Sequence, residues 1–380
     1  MRFPEFSGEW KRVELKDVAE FQKSRIPADS LDASCYISTE NLIPNFGGIK
    51  EASSIPTDGN VMAIKPNDIL ISNIRPYLKK VWQSDRFGGC SADVFVLRTT
   101  RCQSDFLYNI IASDKFINYA MSGAKGVKMP RGDKRQMEEF EFSIPAIEEQ
   151  NRISRLLSLL DERIATQNKI IKDLKKLKSA IVEMLLCNRN SELLKLGDIG
   201  YFVRGLTYAN EDVTENKAAT AVIRANNLNY GNHVDKGEVV YVSRTPATSQ
   251  ILRKGDIVIC MANGSSALVG KNSYYPFNDG QSTVGAFCGI YRTSHPLAKW
   301  LMQSRRYKRL VYQSLQGGNG AIANLNGDDI LNMSFPVMEK EKSKSIIFIL
   351  ETIEKTLAVN KCLQMSCSTQ KSHLLKQMFI

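Results

Sequence analysis

The stretch ISRLLSLLDERI, at residues 153–164, opens a hydrophobic pattern that is kept for about five heptads. Alternate steps of four and three residues lead from Ile153 to Leu185, and a second such series runs from Ile346 to Met378. Heptads of this length predict two long helices that each present a seam to another helix. The predicted seam residues are Leu157, Leu160, Ile164, Ile171, Leu174 and Ile181 in the first helix, and Leu350, Ile353, Leu357 and Leu374 in the second.

Polar residues interrupt the two seams at matching positions, because Gln167 corresponds to Asn360 and Lys178 to Lys371. Buried polar residues weaken a seam but fix its register and its partner. The simplest arrangement pairs the two helices antiparallel, each of them ending beside the opposite globular domain. In the alternative, each helix is amphipathic and lies on its own domain. The length of the heptad pattern favours the paired helices.

The segments outside these helices repeat at a spacing of about 190 residues. Leu15-Lys16-Asp17-Val18 recurs as Leu196-Gly197-Asp198-Ile199, Asp68-Ile69-Leu70-Ile71 as Asp256-Ile257-Val258-Ile259, and Leu97-Arg98-Thr99 as Tyr291-Arg292-Thr293. Each copy reads as a mixed α/β domain. The first predicts strands at 68–72, 93–99 and 140–144, and a helix from about 105 to 121 with Ser104 as its N-cap; the second predicts strands at 256–262 and 284–293, and a helix from about 296 to 315. A copied framework with different loops suggests two related targets held at a fixed separation.

The composition indicates a globular protein with room for two domains. Of the 380 residues, 43% are hydrophobic and 24% are charged, and no apolar run is long enough to predict a membrane span. The eight cysteines form no CxxC pair, which favours reduced thiols in a cytoplasm. Because the three histidines also lie far apart, we expect no metal site and no cofactor.

Catalytic motifs are absent from the sequence. There is no GxxxxGKS/T phosphate loop, no HExxH or GxSxG motif, and no Asn-Pro-Pro or Asp-Pro-Pro core of the kind that amino-methyltransferases use. Asp68 and Asp256 begin strands in both copies and are predicted to make turns. The chain is therefore predicted to be non-catalytic.

The net charge of +11 indicates a polyanionic partner. Most of this charge lies on the predicted helices: residues 151–189 hold 9 basic and 4 acidic side chains, and residues 340–380 hold 7 and 3. The rest of the chain is nearly balanced. Any contact that the globular parts make with nucleic acid must therefore come from local clusters.

Two clusters in the first copy are candidates for binding DNA. One follows the 68–72 strand, where Pro76 stiffens a turn, and the other lies in a glycine-containing loop after the predicted helix. Arginine commonly reads guanine, whereas lysine and tyrosine commonly contact phosphates. The candidate residues are Arg75, Tyr77, Lys79 and Lys80 in the first cluster, and Lys125, Lys128 and Arg131 in the second. Each loop could also be an ordinary solvated loop.

The corresponding loops of the second copy carry different side chains. Asparagine pairs well with adenine, and serine with phosphate or with several bases. The candidates here are Arg224, Asn226, Asn263, Ser265, Lys271, Asn319 and Asn324. Different side chains on one framework imply two different half-sequences, and hence an asymmetric bipartite target.

These features together resemble the specificity subunits of type I restriction–modification enzymes. The resemblance covers essentially the whole chain and is most specific at Ile144–Gln150, at 156–164 and at the strand-loop segment Ile71 to Lys80. It implies a mixed α/β (α+β) fold with two tandem-repeat target-recognition domains, separated by two long antiparallel coiled-coil helices and related by a pseudo-twofold. We place the two domains at residues 1–145 and 189–336, and the long helices at 146–188 and 337–380.

The resemblance also implies a function. The chain is expected to be a non-catalytic, cytoplasmic subunit that binds double-stranded DNA, with one half-site per domain. It would dock modification (methyltransferase) subunits, expected to be two, and through the complex the restriction and motor subunits, with no role for a membrane. Two alternatives remain at this point: a coiled-coil scaffold that never touches DNA, and a recognition subunit of another DNA-modification system.

Overall fold

The computed structural model describes residues 2–186, 192–315 and 323–378 of the chain. The chain forms two compact units, the first containing residues 1–168 and 362–380 and the second containing residues 169–361. Each unit combines one mixed α/β domain with a part of each of the two long helices. The predicted fold class is confirmed.

The described part of unit 1 contains ten strands, four complete helices and most of a fifth. The strands are β1 (Lys11–Glu14), β2 (Ala19–Phe21), β3 (Arg25–Pro27), β4 (Tyr36–Ile37), β5 (Asn60–Ile64), β6 (Ile69–Ser72), β7 (Val81–Gln83), β8 (Gly88–Cys90), β9 (Val94–Thr99) and β10 (Glu141–Ile144). The helices are α1 (Leu15–Val18), α2 (Ser104–Ile111), α3 (Asp114–Ser122), α4 (Lys134–Glu138) and α5 (Ile147–Met184), whose last turns belong to unit 2. The larger sheet has the antiparallel order β2-β9-β6-β7, a smaller sheet has the order β3-β5-β8-β4, and β1 pairs with β10.

Unit 2 repeats this plan. Its strands are β11 (Glu192–Lys195), β12 (Tyr201–Arg204), β13 (Val213–Thr214), β14 (Thr220–Ile223), β15 (Val240–Val242), β16 (Ile257–Cys260), β17 (Ala262–Asn263), β18 (Asn272–Tyr274), β19 (Ser282–Val284), β20 (Cys288–Arg292), β21 (Ala323–Asn324) and β22 (Ser334–Val337). Its helices are α6 (Leu196–Ile199), α7 (Ala298–Leu301), α8 (Arg305–Leu315), α9 (Gly327–Leu331) and α10 (Lys340–Met378), whose last turns belong to unit 1. The sheet β12-β20-β16-β18 repeats β2-β9-β6-β7, and β11 pairs with β22 as β1 does with β10.

The smaller sheets of the two domains differ. In unit 1 the second and third strands of this sheet are β5 and β8. In unit 2 they are β15 and β14, so the order is β13-β15-β14-β19. Both sheets keep one parallel pair, β4 with β8 and β14 with β19. The repeat is thus conserved in the larger sheet and varied in the smaller one.

A buried ion pair explains two of the repeated motifs. Arg98 donates to both carboxylate oxygens of Asp68, at 2.7 Å each, and Arg292 donates to both of Asp256, at 2.8 and 2.7 Å. Asp68 also accepts the backbone N–H of Lys65, and Asp256 that of Arg253, so the predicted turn role is confirmed. The sequence pattern did not predict the arginine partners. This ion pair ties the start of β6 to β9 in unit 1, and the start of β16 to β20 in unit 2.

Several predicted elements have breaks that the hydrophobic pattern did not indicate. The helix predicted from about 105 to 121 is two helices, because Ser113 caps the second by accepting the N–H of Phe116. The helix predicted from about 296 to 315 divides in the same way at Ser304, which accepts the N–H of Tyr307. Ser104 is not the N-cap of α2; the cap is Gln103. The strand predicted at 284–293 is interrupted between β19 and β20.

The two long helices pack antiparallel, as predicted. In unit 1 the first turns of α5, with Ile153 and Leu157, share a core with Leu374 and Met378 at the end of α10. In unit 2 the last turns of α5 share a core with Ile347 and Leu350 near the start of α10, with Val182 and Leu185 on the α5 side. A further cluster in unit 2 contains Ile171, Leu174 and Ile181 of α5 with Ile353 and Leu357 of α10. Leu160 packs against the unit 1 core, and Ile164 is half-buried.

Both lysines in the seams have carboxylate partners on the other helix. Within unit 2, Lys178 of α5 donates to Glu354 of α10 at 2.8 Å. Within unit 1, Lys371 of α10 donates to Asp161 of α5 at 2.6 and 2.7 Å. The two lysines are repeat equivalents, and so are the two carboxylates, so one ion pair occurs twice. The Gln167 side-chain oxygen is buried and has no hydrogen-bond partner among the described residues.

Among the described residues, no helix combines the length and the apolar character needed to cross a membrane. The cysteines in this part of the chain are free. Burial raises the pKa of Cys90 and of Cys288 to about 12, so both thiols stay protonated at neutral pH.

Candidate nucleic-acid interface

The two candidate loops of the first domain lie side by side. The backbone N–H of Arg75 donates to the carbonyl of Pro130 at 2.8 Å, and that of Gly132 donates to Asn73 at 3.0 Å. Ile74 and Arg131 form an antiparallel bridge between these bonds. Residues that are about 55 positions apart in the sequence thus form one surface, which we call the first bridge.

The backbone of the first bridge is held in an unusual conformation. Arg75 and Lys79 flank the turn Pro76–Leu78, and both are left-handed, with φ of 52° and 53°. Non-glycine residues in this region cost energy and cluster at functional sites. The side-chain oxygen of Asn73 and the Nε of Arg75 are enclosed and have no hydrogen-bond partner among the described residues. The Arg75 side chain therefore has unused donor capacity, and Tyr77 beside it is 47% exposed.

The lysines of this loop are already engaged. Lys79 forms an ion pair with Asp114 at 2.6 Å, and the Nζ of Lys80 donates to the carbonyl of Thr39 at 2.5 Å. Burial lowers the pKa of Lys80, and the charge of nearby Lys50 lowers it further. A phosphate would have to compete with these internal partners. Of the four candidates in this loop, Arg75 and Tyr77 have the fewest internal partners that a phosphate would have to displace.

The second loop of the first bridge presents three cations. Lys125 pairs with Asp133 at 2.6 Å and Arg131 pairs with Asp93 at 2.9 Å, while Lys128 is exposed. The hydrogen bond from Lys125 lowers the pKa of Asp133. Exposed ion pairs of this kind are weak, so Lys125 and Arg131 can exchange them for a phosphate or a base at little cost.

The second domain contains the same bridge with different side chains. Strands β17 and β21 pair antiparallel, with Ala262 opposite Asn324 and Asn263 opposite Ala323. The N–H of Leu325 donates to Met261 at 2.7 Å, as that of Gly132 does to Asn73. We call this surface the second bridge. By this register Asn263 occupies the place of Arg75, and Asn324 occupies the place of Arg131.

A concave pocket of about 580 Å³ adjoins the second bridge. Arg224, Asn226 and Asn263 line it together, as does Tyr208. Phe287, also in the lining, is 67% exposed, so an apolar ring stands beside the polar side chains. The pocket thus combines a guanidinium, two amides and two aromatic rings on one surface, which suits hydrogen bonding to base edges with stacking or apolar contact.

Some of these amides have structural roles. Asn263 accepts the backbone N–H of Ser265 at 3.0 Å and so shapes its own loop. Asn227 is buried and holds the turn after β14 by accepting the N–H of Arg224, as Asn41 does for Ser38 in the first domain. By contrast Asn226 and Asn324 are exposed. Exposed amides are the better candidates for reading a base.

The remaining candidates are placed as follows. Ser265 is exposed on the β17–β18 loop, and Lys271 is half-buried at the end of that loop, away from the pocket. Asn319 lies outside the described residues. Sequence reasoning missed Tyr208 and Phe287, since nothing in their local sequence distinguishes them from other aromatic residues. It also missed a cluster of basic residues on α8.

Comparisons with known proteins identify relatives of this chain. The family described as type I restriction modification DNA specificity domain matches residues 7–176. The MjaVIII type I specificity subunit of Methanocaldococcus jannaschii is 22% identical, over 95% of this chain and 89% of that protein. The EcoKI specificity subunit of Escherichia coli K12 is 28% identical, over 41% of this chain and 35% of that protein.

Solved structures support the fold. The S subunit of a type I restriction–modification system from M. genitalium has a TM-score of 0.64 and 16% identity, over 98% of this chain and 96% of that one. A chain from a study of the assembly of a type I system has a TM-score of 0.52 and 17% identity, over 97% of both chains. At these identities the likeness concerns the fold alone.

Proposed function

Because the chain belongs to the family of type I restriction–modification specificity subunits, we propose that it reads an asymmetric bipartite DNA target, with one half-site for each domain. The domains are residues 1–145 and 189–336. The long helices, 146–188 and 337–380, would set the spacing and dock two modification subunits. Methylation and cleavage would come from the modification and restriction subunits, and this chain would contribute no catalytic residue.

One observation carries this proposal: the two bridges have the same antiparallel backbone pairing and different side chains. The first presents Arg75 and Arg131, and the second presents Asn263 and Asn324 at the same places. Arginine forms paired hydrogen bonds with guanine, and asparagine with adenine. A shared backbone pairing with changed donors and acceptors is what two different half-sites of one target require.

The candidates divide into two groups in this proposal. Base contacts are assigned to Arg75, Arg131, Arg224, Asn226, Asn263 and Asn324. Phosphate contacts are assigned to the other polar candidates, which are Tyr77, Lys79, Lys80, Lys125, Lys128, Ser265 and Lys271. Asn319, which lies outside the described residues, stays a DNA-binding prediction from sequence. Base contacts specify the site, whereas phosphate contacts position the protein.

The test is to coexpress the chain with its modification subunits in a host without adenine methylation and to map the methylated adenines. The expected result is a split motif. Arg75→Ala with Arg131→Ala should relax or change one half of the motif, and Asn226→Ala with Asn324→Ala should change the other half. Lys79→Ala is the control, because a phosphate contact positions the protein without choosing bases, so the motif should stay the same.

Three outcomes would contradict the proposal. A complex with competent modification subunits that methylates no DNA would refute the DNA function. An unchanged motif in both double variants, with assembly intact, would favour a scaffold without DNA contact. A change in both halves from a single double variant would refute the assignment of one half-site to each domain.

A further inference from the structure

Helix α8 presents a basic face to solvent. Four of its exposed side chains follow the spacing i, i+3, i+4 and i+7, which places them on one side of the helix. They are Arg305, Lys308, Arg309 and Tyr312, of which Tyr312 is 64% exposed. Tyr307 and Val311 are buried on the other side and join the core of the second domain. The face is therefore fixed to a packed helix.

The first domain has no such face at the equivalent place. Helices α3 and α8 begin directly after equivalent buried serines, Ser113 and Ser304, each of which caps its helix. Counting from these caps, the residues of α3 that match the basic face are Asp114, Ile117, Asn118 and Met121. In the first domain Asp114 binds Lys79 of the adjacent turn. The second domain instead carries three cations on the helix itself.

This arrangement does not stabilise α8. The first turn of a helix favours negative side chains, and α8 has no acidic residue there. Arg305 also repels Lys308 and Arg309, since like charges three and four residues apart destabilise a helix by about 0.2–0.5 kcal/mol per pair. Among the described residues, no carboxylate forms an ion pair with Arg305, Lys308 or Arg309. The carboxylate of Glu183 accepts the backbone N–H of Arg305 at 2.7 Å, so it meets α8 through the backbone and leaves the three side-chain cations available to an anion from outside the chain.

A second concave pocket, of about 630 Å³, lies between α8 and the β17–β18 loop. Lys308 lies over the ring of Tyr230 at 4.4 Å, and Lys271 contributes to the lining from the loop. The Tyr230 hydroxyl is buried and has no hydrogen-bond partner in the described part of the chain. This pocket can therefore accept an oxyanion, with an ammonium group and an unused hydroxyl nearby.

The same loop connects this pocket to the second bridge. Residues 262–264 line the pocket beside the bridge, and residues 266, 267 and 269–271 line the pocket beside α8. A duplex whose bases lie at the second bridge would pass its phosphates close to α8. Tyrosine and lysine side chains are common phosphate contacts.

We propose that the basic face of α8, with Lys271 and Tyr230, binds the phosphate backbone of the DNA beside the second half-site. This inference rests on the proposed function. It makes the two domains unequal: the second holds the backbone with a dedicated basic helix, and the first uses loop cations that have internal partners. Binding by α8 contributes affinity without choosing a sequence.

The experiment compares the full chain with the triple variant Arg305→Gln, Lys308→Gln and Arg309→Gln. The probe is a fluorescein-labelled 40-base-pair duplex of random sequence, titrated by anisotropy between 50 and 200 mM NaCl. The matched control replaces Lys172, Lys175 and Lys176 with glutamine, which removes the same charge from exposed positions on α5. Intrinsic fluorescence of Trp300, measured in a Trp10→Phe and Trp82→Phe background, shows whether the second domain stays folded.

If the three side chains neutralise three phosphates, the slope of log K against log[salt] becomes shallower by roughly 2.7. Across this fourfold range of salt, wild-type affinity then falls roughly 40-fold more than that of the triple variant. The α5 control should keep the wild-type slope. Lysine at all three positions should also keep it, because phosphate contacts need charge more than geometry.

The outcomes separate this inference from the proposed function. Binding by the wild type with an unchanged slope in the triple variant refutes the role of α8 alone. Equal changes in the triple variant and the α5 control also refute it, since net charge would then explain both. Loss of modification-subunit binding with unchanged DNA affinity would assign the face to a protein partner. A wild-type chain that binds no duplex, free or in complex, would refute the proposed function itself.

Discussion

Replacing Glu354 should show most clearly how the ion pair of unit 2 differs in stability from the equivalent ion pair of unit 1. Its carboxylate accepts hydrogen bonds from Lys178 and Lys299, at 2.8 Å each, within unit 2. The ammonium groups also lie over the ring of Trp300, at 5.2 and 4.2 Å. The Lys178 side chain is only 12% exposed. Glu354→Gln keeps the shape of the side chain but leaves two largely buried cations without a counter-charge.

The expected cost follows from this burial. Removing one partner of a buried ion pair costs about 3–5 kcal/mol, and we expect about 3 kcal/mol here because glutamine can still accept a hydrogen bond. The repeat supplies a matched control in Asp161→Asn. Asp161 is 44% exposed and, in the part of the chain that the structure describes, pairs with Lys371 alone, so its loss should cost about 0–1 kcal/mol.

Urea unfolding measures both values. In a background with Trp10→Phe and Trp82→Phe, Trp300 is the single tryptophan and reports on unit 2. At an m-value of about 2 kcal/mol per M, Glu354→Gln should lower the unfolding midpoint of unit 2 by roughly 1.5 M. Asp161→Asn should leave that midpoint almost unchanged. Equal shifts in the two variants, or a shift below about 0.3 M for Glu354→Gln, would refute the argument from burial.

Three further predictions concern unit 2. Burial raises the pKa of Glu354, but its two lysines outweigh burial and hold that pKa below the ordinary value of 4.5. The stability that the carboxylate contributes should therefore be full above pH 4.5 and fall as the pH drops through the lowered pKa. Urea midpoints measured from pH 6 to pH 3 should then fall less in Glu354→Gln than in the wild type. Arg292→Lys keeps the positive charge but loses the paired hydrogen bonds to Asp256, and should cost about 2 kcal/mol in the same assay. If only the charge mattered, this substitution would cost nothing. Gly205→Ala would place a Cβ 2.1 Å from the carbonyl oxygen of Gly285, and should cost about 1–3 kcal/mol; an unchanged midpoint would mean that the backbone can move aside freely.

The sequence predicted those features that depend on periodicity and repetition. Heptads indicated the antiparallel long helices, and repeated motifs indicated two copies of one domain. The breaks at Ser113 and Ser304 were not predictable in this way, because apolar residues continue on both sides of each serine. A serine inside an apolar stretch becomes a cap only when the chain turns there, which tertiary packing decides.

The candidate interface was predictable in part. The loops were identified by their composition and by their position after strands, but their pairing was not. The first bridge joins segments far apart in the sequence through backbone hydrogen bonds, and these leave no pattern in side chains. The basic face of α8 was missed because acidic residues elsewhere in the domain balance its charge. Net charge reports the sum over a domain, whereas binding depends on one face.

The repeated ion pair gives the seams a register that apolar residues alone could not fix. Apolar residues occupy most of the seam positions, so a slip of seven residues between α5 and α10 would still bring many apolar side chains together. Such a slip would move Lys371 and Glu354 by roughly 10 Å along the helix axis, and both ion pairs would break together. The pairs are unequal in burial, so the more buried one, Lys178 with Glu354, would oppose the slip most strongly. If the long helices set the spacing between two half-sites, an error of one heptad would change that spacing, and this ion pair opposes it together with the packing of the helix ends into the two domain cores.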